Sequence, residues 1–434
     1  MGIKKYIYLL FPYILFAQNN QMIDVVKKEF FLFSQKSTPI DTTVNKKNDS
    51  LDYHIALLLP FCVESNTSLL DIDIDSIGQY SQHNLFKKSL ISIDFFHGFL
   101  MALTNSVDLN FKISVFDIKH GDDSQIILDQ IITDRYLKGV DLIIGPLFTN
   151  NVIYFTDNFY KKIPIVAPFS KKQHIVMNNP NVIQIQPSLE SQLKIFSSYI
   201  FDNHSNDNII LIRRDTIFDN SLRLIRETDS VIEKVDTIIP DDVYISEILL
   251  DQVDTVSIDF KEIKVNTNVV DSIYHELDTL GERNIILIAS EDNVFVTDLL
   301  SKLHACRDSG MIVYGLSNLY NFNHLPFTDL MDMNLSFPYH KFDNSDVMIQ
   351  FIIEFYDNYK YVPNLRYSSV GYEIASYFSQ LLFEYEVVLP VLSDVPPVTI
   401  LENVYDFQKI NQGGYKNQGV MLLRYDNFGY KRID

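Results

Sequence analysis

From His54 onward the chain alternates between short, nearly continuous apolar runs and longer segments whose apolar residues recur at helical spacing. HIALLLPF, His54 to Phe61, is a run of the first kind, the pattern of a strand covered on both faces in a parallel sheet. Phe95, Phe99, Ala102 and Leu103 then follow at i, i+4, i+7 and i+8 and predict one face of a helix. FKISVFD, Phe111 to Asp117, is β-rich, Gln125 to Leu137 reads as helix, and VDLIIGP, Val140 to Pro146, is another buried strand. A helix over Val152 to Tyr160 leads to IPIVAPFS, Ile163 to Ser170. Strand and helix in alternation with short links predict a parallel sheet with right-handed crossovers.

The order returns further on. NIILI occurs at Asn208 to Ile212 and again at Asn284 to Ile288, each time before a polar turn and a helix. Duplication would give this identity; so would one buried-strand recipe used twice in an isoleucine-rich chain. Both readings mark a second set of βα units. A chain of 434 residues also exceeds the ~250–300 that one core supports, so two lobes are expected. The two NIILI strands belong in one lobe, and HIALLLPF, FKISVFD and VDLIIGP pair in the other. Between the NIILI runs, Val235 to Asn268 is acidic and β-branched without helical period, and reads as irregular strands and loops. Val347 to Tyr359 predicts a helix, Pro363 punctuates it, and Ile374, Ala375, Phe378, Leu381 and Leu382 form the face of another. Gly413-Gly414 signals a turn before a last strand, Gly419 to Tyr425.

The N-terminus has a different pattern. Lys4 and Lys5 precede an apolar run from Tyr6 to Phe16, then Ala17 and polar Gln18 to Asn20, which reads as a secretory signal over residues 1–17. A run of about 12 residues falls short of the ~20 that span a bilayer. Residues 18–50 read as a polar tether, and the expected location is periplasmic, with no membrane span in the mature chain. Cys62 and Cys306 are too few for a disulfide framework or a CxxC pair; buried free thiols and one long-range disulfide both stay open.

Composition narrows function by exclusion. The net charge of −20 repels nucleic acid and anionic lipid. Only 14 glycines occur in 434 residues, below the usual ~7%, and GxGxxG and GxxxxGK[ST] are absent. Asp71, Asp73 and Asp75 match the first ligands of an EF-hand loop, but Ser76 and Gln82 stand where glycine and glutamate belong. His275-Glu276 begins an HExxH, with Thr279 at the second ligand position. Gly315-Leu316-Ser317 lacks the second glycine of a nucleophile elbow. These readings give no enzyme, metal or cofactor.

The segments HIALLLPF, DFFHGFLMAL, DLIIGPLFTNNV and IPIVAPFS, in that order, resemble the type I periplasmic binding proteins. The likeness is to the leucine/isoleucine/valine receptors and their Bacteroidetes branch, often fused to LysM modules. FIIEFYDNYKYVPNLRYSSVGYEIASYF is similar to that family's late stretch, with Pro363, Gly371, Tyr372 and Glu373 in register, and GGYKNQG is similar to the branch's closing turn. The 18–50 tether reads as too short to hold a LysM module, a departure from that branch. The resemblance implies an α/β fold of two lobes, each a mostly parallel sheet flanked by helices, joined by three crossovers and closing around a ligand. Lobe 1 is then residues 51–188 and 340–388, and lobe 2 residues 189–339 and 389–434.

The resemblance also implies pocket residues. Thr149 and Ser170 correspond to the hydroxyls that hold a ligand's carboxylate and amine, with helix N-capping as the competing reading. Phe218 falls near an aromatic that follows the second lobe's first strand, here without a hydroxyl. Glu291 or Asp292 corresponds to the acid that holds an ammonium, although Ala289 and Ser290 replace the usual glycines and capping competes here too. Two functions follow. One is a non-catalytic binding protein for a small polar ligand such as an amino acid or peptide-like wall fragment. The other is an envelope interaction protein regulating peptidoglycan synthesis, its small-ligand pocket lost.

Overall fold

The computed structural model describes residues 23–25 and, from 52 to 434, all but 70–84, 105–109, 134–135, 161, 178, 215–244, 250–259, 266–270, 279–282, 308–309, 321 and 343–344. The signal segment 1–17, nearly all of the 18–50 tether, the Asp71–Asp75 loop and Phe218 lie outside the described residues.

Two units divide the chain, residues 1–188 with 345–419 and residues 189–344 with 420–434. The first holds an eight-stranded sheet in the order β1-β3-β2-β4-β5-β6-β15-β14. Its parallel strands are β3 (Asn110–Asp117), β2 (Asp52–Leu59), β4 (Leu142–Ile144), β5 (Ile165–Ala167), β6 (Val182–Gln184) and β15 (Tyr415–Asn417). Antiparallel edges are added by β1 (Ile23–Val25) and β14 (Phe407–Lys409). Along β2, Ile55, Leu57 and Leu59 enter one core and Ala56 and Leu58 the other. Side chains alternate faces along a strand, so a strand covered on both sides must be apolar throughout.

Helix α1 (Lys87–Thr104) covers one face, and α2 (Asp122–Thr133) and α3 (Thr149–Asn158) cover the other. In α1 the four residues of the predicted face are 0–3% exposed, and Phe96 and Met101 are buried as well. The reason is a second layer: α6 (Asp346–Tyr359) and α7 (Leu365–Tyr385) pack on α1. Gly98 and Gly371 let α1 and α7 touch backbone to backbone, since a Cβ at Gly98 would strike the Ser368 carbonyl and one at Gly371 the Phe95 carbonyl.

The second unit's sheet runs β17-β16-β11-β10-β9-β7-β8. Its NIILI strands, β7 (Asn208–Arg214) and β9 (Asn284–Ile288), lie side by side in parallel, Asn208 against Asn284 through to Ile212 against Ile288. The Asn208 amide donates to the Asn284 side-chain oxygen at 2.9 Å, closing the start of the ladder. Helix α4 (Leu189–His204) covers one face and α5 (Asn293–Cys306) the other. Parallel neighbours are β8 (Phe260–Val265), β10 (Ile312–Tyr314) and β11 (Ser336–Tyr339); β16 (Met421–Asp426) and β17 (Gly429–Arg432) join antiparallel. Thus part of the stretch read as irregular is the parallel edge strand β8, and residues 245–249 are helical.

One assignment needs correction. Residues 389–419 sit in the first unit, not the second, and 340–344 sit in the second. Strand β15 pairs with β6, and Tyr405 and Phe407 enter the first core. Buried Glu373 of α7 accepts from the Asn403 amide at 2.7 Å and from the Tyr405 hydroxyl, which ties down the β12 (Val398–Ile400) and β13 (Asn403–Tyr405) hairpin. The chain leaves for the second unit only after Gly419. Both cysteines are free, and burial pushes the Cys62 thiol up to about 12, so it stays protonated and unreactive at neutral pH.

A candidate ligand pocket in the first unit

The carboxyl ends of parallel strands are where open α/β sheets bind ligands, and β4 and β5 end beside a pocket of about 190 Å³. After β4 the chain must turn sharply toward α3. Gly145 does this at φ +95°, with the Leu58 carbonyl standing where a Cβ would project. Leu147, Phe148 and Thr149 follow and line the pocket. After β5, Phe169 lines it, held edge-on against Phe95 at 6.0 Å and Tyr367 at 5.5 Å. Ile91 of α1 and Arg366 and Tyr367 of α7 complete the walls. Asn364 caps α7 by accepting from the Arg366 amide at 3.1 Å, which fixes where Arg366 and Tyr367 project.

Thr149 therefore lies in the pocket, and its capping reading fails. The N-cap of α3 is Phe148, with no side-chain cap, and Thr149 is the first helical residue. The Thr149 and Asn150 amides have no partner among the described residues, as expected for a helix's first turn. Ser170 is not part of the lining. It is 1% exposed and serves a turn, its hydroxyl accepting from the Lys172 amide at 3.4 Å and its carbonyl from the Gln184 amide at 3.0 Å.

In the second unit, Asp292 is the N-cap of α5. It accepts from the Val294 and Phe295 amides at 2.9 and 3.0 Å and pairs with Arg214 at 2.9 Å. Glu291 beside it is exposed, and its carbonyl accepts from Asn318. Capping is thus the observed role of Asp292.

Sequence reasoning missed Ile91, Leu147, Phe148, Phe169, Arg366 and Tyr367. Phe148 and Phe169 adjoin Thr149 and Ser170, and Arg366 sits two residues after a helix cap, so aromatics adjoining strand-end hydroxyls were the available signal. Among the described residues, no three histidine, cysteine or acidic side chains group as metal ligands, and no helix is long and apolar enough to cross a membrane.

No protein-family model and no curated protein sequence matches the chain. Solved structures do. A branched-chain amino acid ABC transporter protein from Rhodospirillum rubrum is similar at TM-score 0.53 and 11% identity, over 88% of this chain and 100% of that one. A periplasmic ligand-binding protein of a branched-chain amino acid ABC transporter from Burkholderia xenovorans gives 0.52 and 11%, over 88% and 94%. The C-domain of LpoA from Haemophilus influenzae, a regulator of PBP1A, gives 0.48 and 13% over 88% and 100%, too low to add to the argument. Two mostly parallel sheets flanked by helices, in this order, are the type I periplasmic binding protein fold. At these identities the likeness extends to the fold alone.

Proposed function

We propose that this chain is a non-catalytic extracytoplasmic binding protein, and that its first-unit pocket takes a small polar ligand such as an amino acid or a peptide-like wall fragment. The observation that carries the reading is the pocket at the carboxyl ends of β4 and β5, where Thr149, whose amide has no partner among the described residues, meets aromatic walls. A helix N-terminus favours an anion there. Apolar walls with a few placed polar groups are the composition of small-molecule sites. The order of the quoted segments further suggests the Bacteroidetes branch of the family.

Calorimetry with an amino-acid and muropeptide panel tests this. We expect heat from at least one compound and roughly tenfold weaker binding in Thr149→Val, which removes one hydroxyl hydrogen bond to a charged group. Absence of heat across the panel contradicts the reading and favours the alternative, an envelope interaction protein regulating peptidoglycan synthesis. The exposed apolar stripe on α6, Ile349, Ile353 and Tyr356, each about half exposed, is the feature of the first unit that suits such a partner.

A further inference from the structure

We infer that Arg366 is the anion anchor of the first-unit pocket, and that the pocket selects compact apolar molecules carrying a carboxylate over their uncharged counterparts. This rests on the binding function proposed above and names the ligand chemistry of that site.

The pocket's walls carry one sign of charge. Five of the seven lining residues, Ile91, Leu147, Phe148, Phe169 and Tyr367, are apolar or aromatic, and the other two are Thr149 and Arg366. Among the described residues no carboxylate lines it, in a chain whose net charge is −20. The Arg366 guanidinium makes no ion pair among the described residues and lies against the Tyr367 ring, 5.7 Å to the centroid. A second cation stands close by, Lys88, whose ammonium lies 5.5 Å over the Phe148 ring. The guanidinium and the Thr149 amide thus stand in the wall of one apolar hollow and the ammonium beside it, and none of the described residues that line the hollow is acidic. A carboxylate or other small anion is the group such a site accepts, and arginine's planar fork suits a carboxylate better than a point charge would.

Size sets the rest of the ligand. A cavity of about 150 Å³ accepts benzene, so about 190 Å³ takes one ring or one branched aliphatic group beside the anion. Because none of the described lining residues is acidic, an ammonium finds no charge partner among them. The pocket by itself therefore reads the acid end of a ligand.

Matched pairs test this in the purified chain by NMR titration: phenylacetate against phenylacetamide, and 3-methylbutanoate against 3-methylbutanamide. Each pair shares its apolar group and differs in charge. We expect each acid to bind roughly tenfold or more tighter than its amide, with the ratio shrinking as salt rises. Arg366→Gln should bring the ratio that the parent chain shows most of the way toward one, through loss of affinity for the acid, and Arg366→Lys should keep part of it. Equal binding of acid and amide by the parent chain overturns the inference and leaves the binding function standing, as does an acid preference that survives Arg366→Gln. Failure of all four compounds to bind overturns the inference and counts against the binding function as well.

Discussion

Asp94, His97 and Tyr361 form a buried polar group inside the first unit. The Tyr361 hydroxyl donates to Asp94 Oδ1 at 2.9 Å and lies 3.0 Å from His97 Nδ1, so His97 donates from Nδ1 when its ring is neutral. His97 is also stacked on Tyr359 at 4.0 Å. Burial pushes the Asp94 carboxyl up to about 6 from 3.8, against the Tyr361 hydroxyl and the Asn364 amide, and pushes His97 down to about 3 from 6.5. An acid raised on folding contributes stability below its unfolded value and loses it as pH rises through the folded one. The Asp94 contribution is therefore lost between about pH 4 and 6, by about 3 kcal/mol for a shift of some two units. For His97, lowered on folding, stability is present above pH 6.5 and is lost as pH falls toward 3. Asp94→Asn mimics the protonated acid and isolates the first effect. Denaturant unfolding should find the variant gaining about 3 kcal/mol on its parent between pH 4 and pH 7; a difference that does not change with pH would refute the assignment. None of this was legible in the sequence, because Asp94 and Tyr361 are far apart in the chain and meet only when α1 packs against the end of α6. Capping at Asp292 was legible, since it needs only the acid and the helix that follows.

Element by element, the pattern of apolar positions carried far where strands and helices are long. HIALLLPF, FKISVFD and both NIILI runs form strands in the sheets expected of them, because a strand buried on both faces leaves no polar position to blur the signal. Short elements were less readable. Strands β12 to β15 have three residues each, too few for a period, and the sequence carries no mark that β12 and β13 pair as a separate hairpin or that β14 and β15 return to the first sheet. That is why residues 389–419 were assigned to the wrong unit. The start of α3 was missed by three residues, since its first turn, Thr149 to Asn151, is polar and shows no apolar face. Gly371 stands in register in the late stretch, and its physical use lies in the α1–α7 crossing. Ala at Gly98 would force its methyl into the Ser368 carbonyl, a backbone atom that cannot rotate away. We expect Gly98→Ala to cost about 3 kcal/mol or more, measured by thermal or denaturant unfolding. A loss under ~1 kcal/mol would mean that the helices do not touch as described.

For the molecule as a whole, the pocket draws its walls from four places in the chain: α1, the turn after β4, the turn after β5, and the start of α7. Such convergence explains why the sequence yielded Thr149 but not Arg366, 217 positions later, which reaches the site only because α7 lies across α1. The central claim is that a small ligand binds at these walls, and hydrogen–deuterium exchange reads it at the backbone. With saturating phenylacetate, the Thr149 and Asn150 amides should acquire a partner, and the first turn of α7 should open less often. Peptides covering Leu147 to Val152 and Leu365 to Ser368 should therefore exchange more slowly with ligand than without. Unchanged exchange in both, with protection confined elsewhere or absent, would contradict the account.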